Sequence, residues 1–450
     1  MSQAPKFFPV DEDLVHSIEL WSRNRIINGP DPKNGARTAS ELEGDLGASI
    51  TTGGIGGTEA FRRFTDVIVP AIRANDGAYN LAYVPAAPSA ASVSIDLALS
   101  AAEIFAGAWE AGAGAIHAEN QALKWLAELA GFPNGAGGTF VSGGTVGNLS
   151  ALFTAREKAV RERGGKPADW KLAISENAHS SNHLAARVLG VDTVSIPVDE
   201  RGRITRESLK AALGGETQVF AVLATAGSTN AGMIDDLEAI ADYCEAEGVW
   251  MHVDGAYGIA GIVSPDVRPQ FKGLERAHSF IVDPHKWLFA PYDCCALVYG
   301  DPAQARAANT QTAPYLELVD REVWNPSDFA IHLSRRARGL PLWFSLATYG
   351  TDRYADAVDQ VIATTHAVAD GIKKRDFLDL LFEPDLSVLL FRRVGWDLEQ
   401  MTAWSERHRI DGTILCIPTF WSGVPVYRLC FVNPETKAEV VLEMLDTLQD

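Results

Sequence analysis

From residue 138 onward, short apolar runs rich in β-branched and aromatic residues alternate with amphipathic helical patterns. No other feature limits the fold as strongly. The strand candidates are Thr139–Val141, Lys171–Ile174, Val191–Ile196, Gln218–Ala224, Val249–Val253, Ser279–Val282 and Cys295–Tyr299. Helical segments such as Val146–Val160 and Asp235–Glu247 lie between several of them. Parallel strands need crossovers of this kind, so the pattern predicts an α/β fold whose mostly parallel seven-stranded sheet is covered on both faces. Ligands of such sheets bind outside the carboxyl ends of the strands.

The remaining stretches organise around that sheet. With 450 residues the chain is long enough for a large domain and a smaller one. Residues 1–80 read as an arm, with Phe61, Phe64, Val67, Ile68 and Ile72 apolar, that packs on something larger than itself. Within it Thr51–Gly57 (TTGGIGG) follows no strand and reads as a connector rather than a phosphate loop. Residues 90–130 read as helix, ending at Gly131 and Pro133. Residues 81–345 form the large unit. Residues 346–450 form a separate α+β unit: a helix from Asp352 to Lys373, strands Leu386–Phe391 and Pro425–Phe431, and a closing helix from Thr436. Trp404 and Trp421 are expected in its core. Arg335, Arg336 and Arg338 (SRRAR) are expected either at a subunit interface or on a solvated helix start.

Charge and cysteine usage narrow the function classes. The formal net charge of -19 repels phosphate backbones and anionic lipids, which argues against nucleic acid and membrane partners. The segment from Ala86 to Trp109 is alanine-rich but interrupted by Pro88, Asp96 and Glu103, so it does not read as a membrane span. The N-terminal stretch MSQAPKFFPVDEDL has no apolar signal core. Cys244, Cys294, Cys295, Cys416 and Cys430 are odd in number, scattered and set in apolar runs, which fits reduced thiols in a cytoplasmic protein. The adjacent pair lacks metal-ligand spacing, so no metal site is expected.

The residues with chemistry fall at strand ends. In Val282–Trp287 (VDPHKW), Lys286 follows a buried strand and sits among His285 and Trp287. Loss of ammonium hydration there would lower its pKa, and a neutral amine can condense with an aldehyde. Ser142–Asn148 (SGGTVGN) joins a strand to a helix; its glycines, Thr145 and the helix N-terminus suit a phosphate or carboxylate, but the lysine of a nucleotide loop is missing. In Glu176–Ser181 (ENAHSS), His179 is either a half-buried histidine or a flat stacking surface for a ligand. Thr225–Thr229 (TAGST) is rich in hydroxyls. In His252–Gly258 (HVDGAYG), Asp254 ends an apolar strand with no lysine or arginine adjacent, so it is a helix cap or the partner of a ligand cation. An anion cradle, a flat stacker, a buried carboxylate and a desolvated lysine, in that order, are what pyridoxal phosphate requires.

Four of these stretches, VDPHKW, HVDGAYG, NAHSS and TAGSTNAGMIDDL, also resemble the group II pyridoxal phosphate-dependent amino-acid decarboxylases, which include the aromatic-L-amino-acid, glutamate and histidine decarboxylases. The similarity runs from about Tyr79 to the C-terminus. It implies the aspartate-aminotransferase-type fold (fold type I) and a homodimer with the active site at the subunit interface and the arm on the partner. By the same resemblance Lys286 is the Schiff-base lysine, Asp254 the partner of the pyridine nitrogen, His179 the ring stacker and Ala256 the packing on the other face. Gly144, Thr145 and Asp283 fall where the family contacts the phosphate, His285 joins the cofactor contacts, and Thr225 lies beside the ring oxygen. Arg428, in VYRLCFVNP, matches the arginine that holds the substrate carboxylate, and Tyr83, in AYVP, a substrate-pocket tyrosine. The implied reaction removes the α-carboxylate of an L-amino acid, with an aromatic substrate expected and acidic or diamino substrates as alternatives.

Three departures from the family stand out. Residues 316–334 lack the loop tyrosine that reprotonates the α carbon; Trp324 and His332 are the nearest large side chains, with Tyr315 just ahead. Relatives without that tyrosine can oxidise their substrate to an aldehyde, the first alternative activity. Asp283 replaces a frequent asparagine, and a carboxylate beside a phosphate is repulsive unless it points elsewhere. Val84 and Ala86 follow Tyr83 where aromatic-specific members carry a larger ring and a threonine.

Overall fold

A computed structural model describes residues 7–311 and 322–449. The central sheet is built from β1 (Gly137–Val141), β2 (Lys171–Ser175), β3 (Asp192–Ile196), β4 (Val219–Thr225), β5 (Trp250–Asp254), β6 (Ser279–Val282) and β7 (Cys295–Tyr299). Each of the seven strand candidates lands on one of them. Their order is β1-β7-β6-β5-β4-β2-β3. The neighbours from β3 to β6 pair in parallel, while β7 runs antiparallel to both β6 and β1. The reversal has a local cause. Between β6 and β7 the only helix is the four-residue Pro284–Trp287, too short for the crossover that a parallel return needs.

Alternation along the strands divides the core into two layers. In β6, Phe280 and Val282 join one apolar cluster and Ile281 the other; in β7, Ala296 and Val298 join the first and Leu297 and Tyr299 the second. Apolar residues at every position, rather than at every second one, mark a sheet covered on both faces. The second layer is closed by the helices Gly144–Arg163 and Ser180–Leu189, the first by helices that include Leu237–Glu247.

A second sheet lies toward the C-terminus: β8 (Leu378–Leu380), β9 (Val388–Arg393), β10 (Ile417–Trp421) and β11 (Val424–Cys430), all antiparallel, in the order β10-β11-β9-β8. The helices Thr351–Lys373, Leu398–Asp411 and Ala438–Asp446 accompany it. Sequence reading finds β9, β11 and the two outer helices but not β8, β10 or Leu398–Asp411. β8 has three residues, and β10 carries Pro418 and is only partly buried, so neither shows a clean period. Trp404 is buried, and Trp421 packs edge-on against Phe382.

One expectation is corrected. Residues 90–130 form two helices, Ala90–Ala102 and Trp109–Leu129, not one. The first ends at Glu103 in the left-handed conformation, and a Cβ at Gly107 would stand 2.2 Å from the Leu333 carbonyl, so the chain turns where glycine lets two backbones meet. The arginines of SRRAR have carboxylate partners within the chain. Arg335 forms a buried bidentate pair with Glu119 at 2.5 and 2.8 Å, Arg336 pairs with Asp96, and Arg338 with Asp293, all within the chain.

Residues 7–80 contrast with the rest. The helices Glu12–Asn28, Ala39–Leu46 and Gly57–Arg63 have no buried residue. Val67 is buried, but Phe7, Phe8 and Ile50 are 89%, 94% and 100% exposed, and Ile68 and Ile72 are exposed as well. Among the described residues no helix is long and apolar enough to cross a membrane. All five cysteines are buried free thiols.

Candidate active site

Asp254 closes β5, the middle strand of the sheet, and is 7% exposed. Its Oδ2 accepts from Asn148 Nδ2 at 2.8 Å and from Asn182 Nδ2 at 3.1 Å, and its Oδ1 from the Ala256 N–H at 3.2 Å. Among the described residues it makes no ion pair, so the partners of this buried carboxylate are neutral. The amides come from the two helices that cover one face: Asn148 from Gly144–Arg163, Asn182 from Ser180–Leu189. Behind Asn148 stands His252, its Nε2 2.9 Å from the amide oxygen and its Nδ1 2.8 Å from Ser279 Oγ. Burial pushes the His252 pKa down to about 4. Asn148, Asn182 and His252 were not singled out from sequence. The one available signal was spacing, since Asn182 lies one helical turn after His179.

The adjacent strand ends in a different environment. Past β6, Asp283 caps the short helix that carries Lys286, and Lys286 Nζ lies 2.9 Å from Asp283 Oδ2. Asp283 Oδ1 is buried with no hydrogen-bond partner among the described residues. Burial works to lower the Lys286 pKa, but the Asp283 carboxylate, with help from Asp254, outweighs it, and the net shift is upward. The expectation of a lowered lysine pKa is therefore wrong for the ligand-free chain, because it counted desolvation without the carboxylate three residues earlier. The same contact shows where Asp283 points: one oxygen is committed to the lysine. His285 is held by the Cys294 backbone, with Nδ1 2.6 Å from its carbonyl, and burial lowers its pKa. Trp287 is buried and stacks on Tyr257 at 5.4 Å.

Beside these two strand ends opens the start of the helix Gly144–Arg163. Its first intrahelical acceptor is the Gly143 carbonyl, taken by Val146 and Gly147. The N–H groups at the helix start have no acceptor within the helix and favour an anion. A Cβ at Gly144 would meet Ala256 Cβ at 3.3 Å, Asp283 Oδ2 at 3.3 Å and Ile281 Cδ1 at 3.1 Å, so any side chain there would fill the cradle. Thr145 is exposed at its mouth. Thr225 ends β4 level with Asp254 and donates its N–H to Asp235 at 2.7 Å. His179 caps the helix Ser180–Leu189, exposed in the single chain, with Nδ1 2.8 Å from Ser181 Oγ.

Arg428 arrives from β11 and is 7% exposed. Its Nε donates to the Thr229 carbonyl at 2.8 Å and its Nη1 to the Tyr83 carbonyl, while Nη2 has no partner among the described residues. Tyr83, in the left-handed conformation with φ 56°, keeps its ring exposed, and the Arg73 guanidinium lies 4.7 Å from the ring centroid. Of Trp324 and His332, the large side chains of the tyrosine-free loop, Trp324 is held in packing, while His332 Nε2 is buried with no hydrogen-bond partner among the described residues. Trp324 donates to the Gly138 carbonyl at 3.0 Å and stacks on Phe329, and burial pushes the His332 pKa down to about 4. Tyr315 and residues 316–321 lie outside the described residues.

A phosphorylated aldehyde with a basic ring nitrogen fits these residues. The glycine cradle and helix start suit its phosphate, the buried Asp254 has no cationic partner among the described residues, and Lys286 is the amine at the neighbouring strand end.

Comparison with known proteins agrees with this chemistry. The family model described as "Pyridoxal-dependent decarboxylase conserved domain" matches residues 59–394. The aromatic-L-amino-acid decarboxylase of Bacillus atrophaeus is 32% identical over 392 residues, covering 82% of this chain and 80% of that one. The L-2,4-diaminobutyrate decarboxylase of Rhizobium meliloti is 33% identical over 372 residues, covering 79% of this chain and 74% of that one. In three dimensions the fold matches the crystal structure of Oryza sativa TDC with PLP and tryptamine, with a TM-score of 0.89 at 23% identity over 99% of this chain and 98% of that one. The carboxylate on the middle strand, the lysine on its neighbour and the glycine cradle between them thus belong to a member of the pyridoxal-dependent decarboxylase family.

Proposed function

We propose that this chain removes the α-carboxylate of an L-amino acid, releasing carbon dioxide and the amine, with pyridoxal 5'-phosphate held between Asp254 and Lys286. The observation that carries the reading is the buried Asp254, whose partners among the described residues are all neutral and which stands at the strand end next to that of a lysine already paired with its own proton acceptor. Bound coenzyme supplies an electron-accepting ring for the electron pair that departing carbon dioxide leaves behind.

The protein's part follows from position and charge. Lys286 Nζ would have to shed a proton to act as a nucleophile, and Asp283 Oδ2 at 2.9 Å is placed to accept it. Asp254 would keep the ring nitrogen cationic. His179 and Ala256 would pack against the ring. Gly144, Thr145 and the helix start would hold the phosphate, with Thr225 and His285 nearby and Asp283 turned to the lysine. Arg428, two of whose nitrogens are fixed by backbone carbonyls, offers Nη2 to the substrate carboxylate and orients the bond to be broken. Tyr83 lines the substrate side. An aromatic substrate suits the exposed Tyr83 ring, and the likeness to an aromatic-L-amino-acid decarboxylase supports it; a diamino or acidic substrate is the alternative.

The reading includes a cytoplasmic homodimer with the site at the interface: residues 81–345 carry the coenzyme, 346–450 form the small domain, and 1–80 pack on the partner. The exposed Phe7, Phe8 and Ile50 support this placement of the arm. A second reading, decarboxylating oxidation to an aldehyde, is favoured by the absence of tyrosine from residues 316–334. The test has two steps. Borohydride reduction of coenzyme-loaded protein adds mass at Lys286, and a screen of the twenty amino acids for carbon dioxide release identifies the substrate. Oxygen uptake with peroxide formation would select the oxidase. No added mass at Lys286 would overturn both.

A further inference from the structure

We propose that Asn148, Asn182 and His252 act as positioning residues: the two amides clamp Asp254, His252 fixes the orientation of the clamp, and the assembly sets how tightly the coenzyme's ring nitrogen is held. The inference rests on the reading of Asp254 given above.

The argument starts from cost. Asn148, Asn182, His252 and Ser279 are at most 1% exposed; His252 lies mid-strand in β5, paired with Ser279 at the start of β6. Apolar residues of similar volume would be cheaper there, because a buried polar group has to recover its lost hydration through hydrogen bonds. These groups recover it in one chain with one direction. Trp250 Nε1 has only a proton to give, and it donates to Ser279 Oγ at 2.9 Å. Ser279 in turn lies 2.8 Å from His252 Nδ1, and His252 Nε2 2.9 Å from Asn148 Oδ1. An amide oxygen accepts only, so Nε2 carries the ring proton and Nδ1 accepts from the serine hydroxyl. Burial keeps the ring neutral, which permits this tautomer.

With its oxygen fixed by His252, the Asn148 amide has to turn both protons forward. One goes to Asp254 Oδ2 at 2.8 Å and the other to Asn182 Oδ1 at 2.9 Å. Asn182 is thereby oriented in the same sense and gives its own proton to Asp254 Oδ2 at 3.1 Å. Both donors converge on one carboxylate oxygen, and the Ala256 N–H takes the other. The carboxylate cannot rotate without giving up these three donors. A network that merely satisfied buried groups would not need to converge on a single functional atom.

The experiment measures the coenzyme dissociation constant and the absorption spectrum of the bound coenzyme, neither of which requires turnover. Asn148→Leu is expected to weaken coenzyme binding about tenfold or more and to shift the absorption maximum. His252→Leu is expected to do the same, and the double variant no more than either single one. His252→Gln, whose side-chain amide can donate to Asn148, is expected to restore most of the loss. If the leucine variants do not fold, Asn148→Ser and Asn182→Ser carry the same comparison. Folded variants with wild-type binding and spectrum, or losses that add in the double variant, would overturn the proposal. Wild-type protein that captures no coenzyme at Lys286 would instead overturn the underlying reading of the site.

Discussion

Two carboxylates end neighbouring parallel strands of the sheet, and their surroundings are opposite in kind. Asp254 is held by two side-chain amides and a backbone N–H, all neutral. Asp283 Oδ2 is held by the Lys286 ammonium at 2.9 Å, with His285 Nε2 3.7 Å away, and Oδ1 has no hydrogen-bond partner among the described residues. They are 7% and 2% exposed, so burial does not separate them. Partners do. A carboxylate fixed by neutral donors keeps a constant position and leaves its charge for a ligand. A carboxylate paired with a lysine is placed to exchange a proton with it. The first half of the site suits holding, the second suits transfer.

The largest test of this division is Lys286→Ala. Decarboxylation is expected to fall by about 10⁴- to 10⁶-fold, as when an essential covalent group is removed. Coenzyme should still bind reversibly through Asp254 and the phosphate cradle, measured by dialysis and absorbance. Next is Asp254→Ala, expected to cost about 10²- to 10³-fold in turnover through lost electrostatic stabilisation, with borohydride labelling of Lys286 intact. If Lys286→Ala abolished coenzyme binding altogether, or Asp254→Ala abolished labelling, the two halves would not be separate in function. Asp283→Asn sharpens the contrast with a smaller effect. Without that carboxylate, burial is the main influence left on Lys286, so its pKa should fall. The pH at which coenzyme capture reaches half its maximal rate should then move down, followed by stopped-flow absorbance. A midpoint that stays in place would mean that Asp283 does not control the lysine.

The holding half and the transfer half were not equally legible in sequence. The sheet itself was readable because its inner strands, such as β4, β6 and β7, are buried on both faces and so appear as nearly unbroken apolar runs. Lys286 and Asp254 were readable because each follows such a run. The clamp was not, because Asn148 and Asn182 reach Asp254 from 106 and 72 positions away, on helices whose facing residues depend on packing. The direction of the Lys286 shift was misread because it depends on which way the Asp283 side chain turns. Local pattern also missed the break after Ala102, where a close approach of Gly107 to the Leu333 backbone decides the path. The pairing of Arg335 with Glu119 crosses 216 positions and leaves no local trace.

The smallest predicted effect concerns acid stability, and it again separates the two halves. Burial pushes His252, His278 and His332 down to about 4 from an ordinary 6.5. Between these values the unfolded chain binds protons that the folded chain refuses, so stability is full above about pH 6.5 and is lost progressively as pH falls toward 4. Each such ring contributes a slope of up to about 1.4 kcal/mol per pH unit in that window. Of the three, His252 belongs to the holding half, behind the clamp on Asp254. In His252→Gln the proton uptake on unfolding, read from urea midpoints across that pH range, should drop by up to one proton. The fall in stability with acid should be correspondingly shallower. An unchanged slope would mean that the ring is already charged in the folded chain. A charged ring has a proton on both nitrogens, so Nδ1 could no longer accept from Ser279, and the one-way series of donors leading to Asp254 would be broken at its second link.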